Sequence, residues 1–170
     1  YGYLFSTLKK IANKESNIVL PEPVQLKEQG IYTPNGVYDN LGQFLQHNHS
    51  LQQSPLVGFI ISNSLIRDMQ TSLLDDLYQR TIDAGLAPVI LWFDSANDSG
   101  LSSFWQKTKP SALVNMTHMQ NGEARKAEFS LLNVPVLQAL TYRDGSQQDW
   151  LSSAEGLTSS SAATLMAVPE

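Results

Sequence analysis

The sequence contains an unbroken apolar run of strand length at Leu56-Val57-Gly58-Phe59-Ile60-Ile61. Such a run, without polar alternation, is typical of a strand buried on both faces of a parallel sheet. A helical pattern follows over residues 69–82, with Asp68 as its expected N-cap and Gly85 as its expected end. A second apolar run comes next, at Pro88-Val89-Ile90-Leu91-Trp92-Phe93. This order predicts two parallel strands joined by a crossover helix.

The alternation of strands and helices continues towards the carboxyl end. The predicted elements are a short helix over 101–107, a third strand over 112–116, a helix over 123–132 and a fourth strand over 134–140. Right-handed crossovers in such a series give a flavodoxin-like strand order, 2-1-3-4. We therefore predict an α/β domain over residues 55–170, a parallel sheet with helices on both faces.

The segment before this domain has a different character and is predicted to be a linker over residues 1–54. A short amphipathic helix is expected over 1–14 and another over 41–47. Between them, Leu20-Pro21-Glu22-Pro23 is expected to be extended, because each proline disfavours the helical region for its predecessor. Residues 30–36 are expected to form a turn-rich crossing.

Composition excludes several classes of protein. A chain of 170 residues with 42% hydrophobic content is long enough for one sizeable core. The net charge of −5 and the lack of any Lys/Arg run disfavour nucleic acid binding. With no cysteine, the chain has no disulfide and no thiolate metal site. No apolar stretch approaches the roughly 20 residues that span a bilayer, so we expect no membrane span and a cytoplasmic location.

The candidate site lies where the predicted strand order reverses, since ligands of open α/β sheets bind beyond the carboxyl ends of strands there. The loops after strands one and three meet at this point and carry small polar side chains. The candidate ligand-binding residues are Ser62, Asn63, Ser64 and Thr117, together with Asp94 at the end of strand two. The same residue types also cap helices and turns, and that structural alternative stays open.

His118 is the candidate catalytic residue, because an imidazole can transfer a proton near neutral pH. A purely structural role for a lone histidine at a strand end stays open as well. His47 and His49 lie in a polar loop without a carboxylate nearby in the sequence, so no metal site is assigned. Phosphate-binding glycine motifs and the nucleophile elbow are both absent from the sequence.

Several short segments occur in an order that resembles one protein family. They are Leu20-Pro21-Glu22-Pro23, Gly30-Ile31-Tyr32-Thr33-Pro34, Val57-Gly58, Val114-Asn115-Met116-Thr117, Val134-Pro135-Val136-Leu137-Gln138, Trp150, Glu155-Gly156-Leu157 and Val168-Pro169-Glu170. Their order and spacing resemble the large tetrapyrrole-binding subunit of the ATP-dependent chelatases. That family includes the cobaltochelatase subunit CobN and the H subunit of magnesium chelatase.

The resemblance implies that the chain is a fragment of a much larger subunit. Such a subunit binds a metal-free tetrapyrrole and the incoming divalent cobalt or magnesium, while partner ATPase subunits use ATP to drive insertion. It further implies a domain of a CobN-type enzyme of cobalamin biosynthesis that contributes to the tetrapyrrole-binding cleft. The fragment alone is expected to be inactive and to bind no cofactor, and it is expected to pack against the rest of the same large subunit.

The sequence departs from the family pattern at three places near the candidate site. Where the family shows an aromatic-Arg-Ser-His run after strand one, this chain has Ser62-Asn63-Ser64-Leu65. The family's Tyr-His-Pro segment corresponds to Tyr32-Thr33-Pro34 in this chain. The family also has a glycine after the threonine that matches Thr117, and this chain has His118 at that position. The alternative is therefore a divergent CobN-like paralogue in which this domain binds a small ligand without chemistry or acts as a scaffold.

Overall fold

The computed structural model describes residues 2–14, 26–139 and 145–154. The strands are β1 (Gly30–Thr33), β2 (Gly36–Tyr38), β3 (Leu56–Ile60), β4 (Ala87–Trp92), β5 (Ala112–Asn115) and β6 (Val136–Gln138). The helices are α1 (Gly2–Ala12), α2 (Leu41–His47), α3 (Ser64–Arg67), α4 (Ser72–Asp83), α5 (Gly122–Leu132) and α6 (Gln147–Ser152). A single 3₁₀ turn, His49–Leu51, follows α2.

Within the described residues, the strands form one six-stranded sheet in the order β2-β1-β4-β3-β5-β6. β3 pairs in parallel with β4 and β5, and β5 pairs in parallel with β6. The predicted α/β class is confirmed, and the four parallel strands keep the relative order that the crossovers predict. The exact order of the whole sheet differs, because β1 and β2 add an antiparallel hairpin beside β4.

The hairpin replaces the turn-rich crossing that the sequence predicted for residues 30–36. Its first strand is buried along its whole length and lies against β4, with Ile31 opposite Leu91. Gly30 permits this approach, since a Cβ there would lie 2.5 Å from the Trp92 ring. The Trp92 indole N–H in turn donates to the Lys27 carbonyl at 2.9 Å. Contacts with a strand some sixty residues away, rather than local propensity, therefore fix this segment as a strand.

Both faces of the sheet are covered, as predicted. Along β4 the side chains alternate, so that Val89 and Leu91 belong to one apolar cluster and Ile90 and Trp92 to the other. The first cluster contains residues of α2 and α5, and the second contains Leu74 of α4. The two clusters explain why the parallel strands carry continuous apolar runs.

The helix predicted to begin at Asp68 is two helices in the structure. Asp68 is the C-cap of α3, and Met69 has a φ of +56°, which ends the helical path before α4 begins. The end of α4 agrees with the prediction, because Gly85 has a φ of +76° and its N–H donates to the Ile82 carbonyl at 2.8 Å.

Residues 101–107 form consecutive turns and not the predicted helix. The Ser103 hydroxyl donates to the Gly100 carbonyl at 2.8 Å, and the Ser102 hydroxyl donates to the Ser99 carbonyl at 3.2 Å. Serine side chains that bond the local backbone in this way compete with regular helical hydrogen bonds. The predicted helices α1 and α2 are both present.

Several sequence features lie outside the described residues. They are the proline-rich segment at 20–23, the Glu155-Gly156-Leu157 motif and the final Val168-Pro169-Glu170. Within the described ranges, no helix combines the length and the apolar character needed to cross a membrane.

A hydrogen bond from Tyr32 to Asp75 joins the hairpin to α4, with the two oxygens 2.6 Å apart. Burial, and then the hydrogen bond to Asp75, raise the pKa of the Tyr32 phenol. Because the folded pKa lies above the unfolded value, this bond adds stability below about pH 10, which is lost as pH rises through the folded pKa.

We expect Tyr32→Phe to lower the free energy of unfolding by about 1 kcal/mol at pH 7. The matched control is Tyr78→Phe, since the Tyr78 hydroxyl makes no hydrogen bond within the described part of the chain, and it should leave stability unchanged. Urea unfolding of the wild type and both variants, at pH 7 and again at a pH above the Tyr32 pKa, checks this prediction. A Tyr32→Phe deficit of equal size at both pH values would contradict it.

Candidate functional site

A cleft of about 400 Å³ opens at the carboxyl ends of β3, β4 and β5. It lies where the order of the parallel strands reverses, the position at which open α/β sheets bind ligands. Five of the residues predicted from the sequence line it: Ser62, Asn63, Asp94, Thr117 and His118. Ser64, the sixth, does not line the cleft and instead contacts Ser62.

Backbone hydrogen bonds hold the strand ends together beneath the cleft. The Ile61 N–H donates to the Leu91 carbonyl at 2.9 Å, and the Met116 N–H donates to the Ile60 carbonyl at 2.9 Å. The sheet pairing therefore continues past the ends of the strands, and the loops that follow begin from fixed positions.

In the loop after β3, the side chains of two serines hydrogen-bond to each other. The Ser62 and Ser64 hydroxyl oxygens are 2.8 Å apart, and the Ser64 N–H donates to the Ser62 hydroxyl at 3.3 Å. Asn63 stands at the N-cap of α3, but its side chain makes no capping hydrogen bond. The Asn63 carboxamide faces the cleft with its hydrogen-bonding capacity unused by that helix.

In the loop after β5, the buried Asn115 fixes the backbone. Its amide nitrogen donates to the Gln138 side-chain oxygen at 2.6 Å, and its own oxygen accepts from the Thr117 N–H at 3.2 Å. The Thr117 hydroxyl makes only a long 3.5 Å contact with the His118 carbonyl. The exposed His118 imidazole has no hydrogen-bond partner within the described residues, so it is accessible from the cleft.

The loop after β4 forms the third wall with Phe93, Asp94 and Ser95. One Asp94 oxygen accepts from the Ala96 N–H at 3.0 Å, which is the turn-capping role that the sequence left open. Asp94 is nevertheless exposed and lines the cleft. The two roles are compatible, because a carboxylate has about four acceptor positions.

A buried ion pair on α5 supports this third wall. Arg125 Nη1 lies 2.8 Å from Glu128 Oε2, and the two side chains are only 3% and 6% exposed. The Arg125 guanidinium stacks 5.1 Å from the Phe93 ring centroid and donates to the Asn97 carbonyl. Glu128 accepts from the Ser102 N–H at 2.7 Å. The pair thus fastens the segment between β4 and β5 to α5.

Sequence reasoning missed this ion pair and part of the cleft. An Arg and a Glu three residues apart on a helix are typical of a solvated face, so the sequence carries no signal of their burial. Glu28 lines the cleft because the hairpin brings its segment to β4, and the hairpin itself was not predicted. Gln120 and Ser95 also line the cleft. Their closeness in sequence to predicted site residues was the one signal that could have indicated this.

The cleft is polar and carries an excess of negative charge. Glu28 and Asp94 contribute carboxylates, and none of the lining residues that the structure describes is a lysine or arginine. The described residues contain no group of three or more His, Cys, Asp or Glu side chains that could hold a metal ion. The arrangement is suited to hydrogen bonding with a neutral polar ligand and to a single accessible imidazole acting as a base.

Comparison with known proteins identifies the family. A sequence model described as CobN/Magnesium Chelatase matches residues 2–170. The chain belongs to this family. Among solved structures, the catalytic subunit of cobaltochelatase from Mycobacterium tuberculosis superimposes with a TM-score of 0.65 at 16% identity. That match covers 98% of this chain and 14% of the subunit, and a search of curated protein sequences finds no match.

At that identity, the likeness to the cobaltochelatase subunit shows a shared fold. Membership of the CobN/magnesium chelatase family confirms the resemblance that the short motifs indicated. One of those motifs, at residues 114–117, forms the end of β5 and reaches the cleft at Thr117. The CobN-like sequence pattern and the cleft therefore meet at the same loop.

Proposed function

We propose that this chain is a domain of the large subunit of a CobN-type chelatase and that its cleft contacts a metal-free tetrapyrrole. The reaction is the ATP-dependent insertion of divalent cobalt into a corrin ring, a ligase-type step of cobalamin biosynthesis. One observation carries the proposal: a polar cleft at the strand-order reversal, in a member of this family. Insertion of magnesium into a porphyrin is the same chemistry with another metal and ring.

The size of the cleft favours contact with one edge of the ring. About 400 Å³ lies near the lower end of the range for small-molecule sites, roughly 300–1,000 Å³. A whole tetrapyrrole with its side groups needs more surface than this cleft offers. The remainder of the ring would then be covered by other parts of the large subunit, and ATP would be used by partner ATPase subunits.

The charge of the cleft favours amide side groups over carboxylate side groups at the edge of the ring. Asn63 and Thr117 can donate to or accept from an amide, whereas Glu28 and Asp94 repel an anion. Two unit charges about 4 Å apart in water repel by roughly 1 kcal/mol, which corresponds to about fivefold in affinity. Selection by repulsion is a common source of specificity.

We therefore expect Glu28→Gln/Asp94→Asn to improve binding of a carboxylate-bearing metal-free corrinoid by about fivefold relative to its amidated counterpart. Titration of the intact subunit, followed by ring absorbance, measures both affinities. The matched control is Glu123→Gln/Asp83→Asn, which removes two charges from exposed helical positions outside the cleft. An unchanged ratio in the cleft variant, or an equal change in the control, would contradict the proposal.

His118 is proposed to assist metal insertion as a base. The inner N–H protons that the metal replaces (one in a corrin, two in a porphyrin) must leave the ring before the metal is held by four nitrogens, and an imidazole nitrogen can accept such a proton. The imidazole is exposed at the cleft and makes no hydrogen bond to the described residues. Ser62, Asn63, Asp94 and Thr117 would orient the ring edge, and Ser64 would hold Ser62 in place.

A scaffold role in the large subunit is the second candidate. It is favoured by apolar side chains that are exposed on the described surface, among them Leu131 and Leu137. A pure scaffold would show no difference between the cleft variants and their controls in ring binding. The titration above therefore distinguishes the two functions.

A further inference from the structure

Asn115 is a polar residue in a strand that is otherwise apolar. It is the last residue of β5 and is 7% exposed, and the residues before it in the strand are Ala112, Leu113 and Val114. Asparagine is depleted in strands, and a buried carboxamide lowers stability unless its hydrogen bonds are made. An apolar side chain would suit this position of the sheet better, so the carboxamide indicates a role other than packing.

The two halves of the Asn115 carboxamide have different partners. The Thr117 backbone N–H can only donate, so Asn115 Oδ1 accepts from it, at 3.2 Å. Asn115 Nδ2 donates to Gln138 Oε1 at 2.6 Å, across to the neighbouring strand β6. A side-chain oxygen that accepts the N–H two residues ahead forms an Asx turn. Asn115 therefore directs the chain from the end of β5 into the cleft loop.

The direction in which the chain leaves β5 decides where the His118 imidazole lies. His118 follows Thr117 directly, and both residues line the cleft. The imidazole makes no hydrogen bond to any described residue. Since no such bond anchors the imidazole, its position relative to a bound ring depends on the backbone that Asn115 turns.

We infer that Asn115 is a positioning residue, whose side chain places His118 against the ring for proton transfer. Asn115 is not among the described residues that line the cleft, so it acts through the loop. Gln138 supports the arrangement from β6, because its oxygen fixes which way the Asn115 carboxamide faces. The inference rests on the proposed function, in which His118 accepts a proton from the ring.

Two substitutions at Asn115 separate the shape of the side chain from its hydrogen bonds. Asn115→Leu keeps a side chain branched at the same carbon and removes both polar groups. Gln138 is exposed and Thr117 is half-buried, so both lost partners reach water and the variant is expected to fold. Asn115→Asp keeps an oxygen that accepts from Thr117, and the Gln138 carboxamide can turn its nitrogen towards the other oxygen.

The matched control is Thr81→Val. Thr81 is as buried as Asn115, and its hydroxyl donates to the Leu77 carbonyl at 2.7 Å. It lies on α4, outside the cleft. The substitution therefore removes a buried side-chain hydrogen bond without touching the loop that carries His118.

We expect Asn115→Leu to lower the kcat of metal insertion by the intact subunit about 10- to 100-fold, as the misplacement of a reacting group does. Asn115→Asp should restore most of the turnover, and Thr81→Val should leave it unchanged. In a His118→Ala background, Asn115→Leu should cause no further fall, because both substitutions act through the same imidazole. A general loss of structure would instead lower kcat in both backgrounds.

Hydrogen exchange measures the turn itself, without the reaction. The Thr117 amide should lose its protection in Asn115→Leu and keep it in Asn115→Asp. The Met116 amide, which donates to the Ile60 carbonyl at 2.9 Å, is the internal control and should keep its protection in both variants.

The outcomes distinguish this inference from the proposed function. Full turnover of Asn115→Leu beside an impaired His118→Ala would overturn the inference and leave the proposed function standing. The same fall in kcat with and without His118, or a Thr117 amide indifferent to Asn115→Leu, would overturn it as well. Full turnover of His118→Ala would refute the proposed role of His118, and this inference with it.

Discussion

Arg125→Met is expected to lower the free energy of unfolding by about 3–5 kcal/mol, measured by urea denaturation at neutral pH. The substitution keeps much of the apolar volume of the side chain but leaves Glu128 buried without its partner. A buried carboxylate without its counter-charge is destabilising, because no attraction offsets the loss of its hydration. The substitution also removes the contacts of Arg125 with Phe93 and with the Asn97 carbonyl.

Two further variants show whether the lost stability comes from leaving Glu128 buried without a counter-charge or simply from breaking an ion pair. Arg80→Met breaks an exposed pair with Asp76 of 2.7 Å and should leave stability unchanged within error. Arg125→Met/Glu128→Leu removes both charges and should recover most of the lost stability. If Arg125→Met proved as harmless as Arg80→Met, the buried pair would not be what fastens the cleft wall.

Under the proposed function, His118→Ala in the intact subunit should lower the kcat of metal insertion by about 10²–10⁴-fold, the usual contribution of a positioned general base. The affinity for the metal-free ring should change little, because the proposed base would act on protons that leave during insertion and not on the edge groups that bind. A fall in kcat with KM preserved is the signature of an interaction made in the transition state.

The matched control for His118 is His49→Ala. His49 is exposed on the short turn after α2, contacts Gln52 and lies outside the cleft. Turnover of that variant should equal the wild-type value. Unchanged turnover of His118→Ala would remove this histidine from the mechanism, whatever the affinity for the ring.

The parallel strands could be predicted from the sequence because each is buried on both faces. Burial on both faces forces a continuous apolar run, and such runs in β3 and β4 are visible without knowledge of their neighbours. The loops of the cleft followed from topology alone, since the carboxyl ends of parallel strands share one edge of the sheet.

The hairpin and the buried ion pair could not be predicted, because both depend on long-range contacts. The strand β1 begins at Gly30, which packs closely against the Trp92 ring, and the indole N–H of Trp92 donates to the Lys27 carbonyl just before this strand. Likewise, Arg125 is buried by the segment around Phe93, and nothing in the helical pattern of α5 distinguishes it from an exposed arginine. Glu28 reaches the cleft through the unpredicted hairpin.

If this cleft holds part of a metal-free tetrapyrrole, filling the cleft must weaken binding of the ring, and a titration can measure that. The intact subunit is titrated with a metal-free corrinoid and a metal-free porphyrin, following ring absorbance. Wild type is compared with Thr117→Trp, which fills the cleft, and with Gln53→Trp, an exposed control outside it.

We predict saturable binding of the corrinoid by the wild type, weakened at least about tenfold by Thr117→Trp and unchanged by Gln53→Trp. Tighter binding of the porphyrin would point to a divergent member of the family. No saturable binding of either ring, or identical binding by Thr117→Trp and wild type, would show that this cleft does not hold the ring.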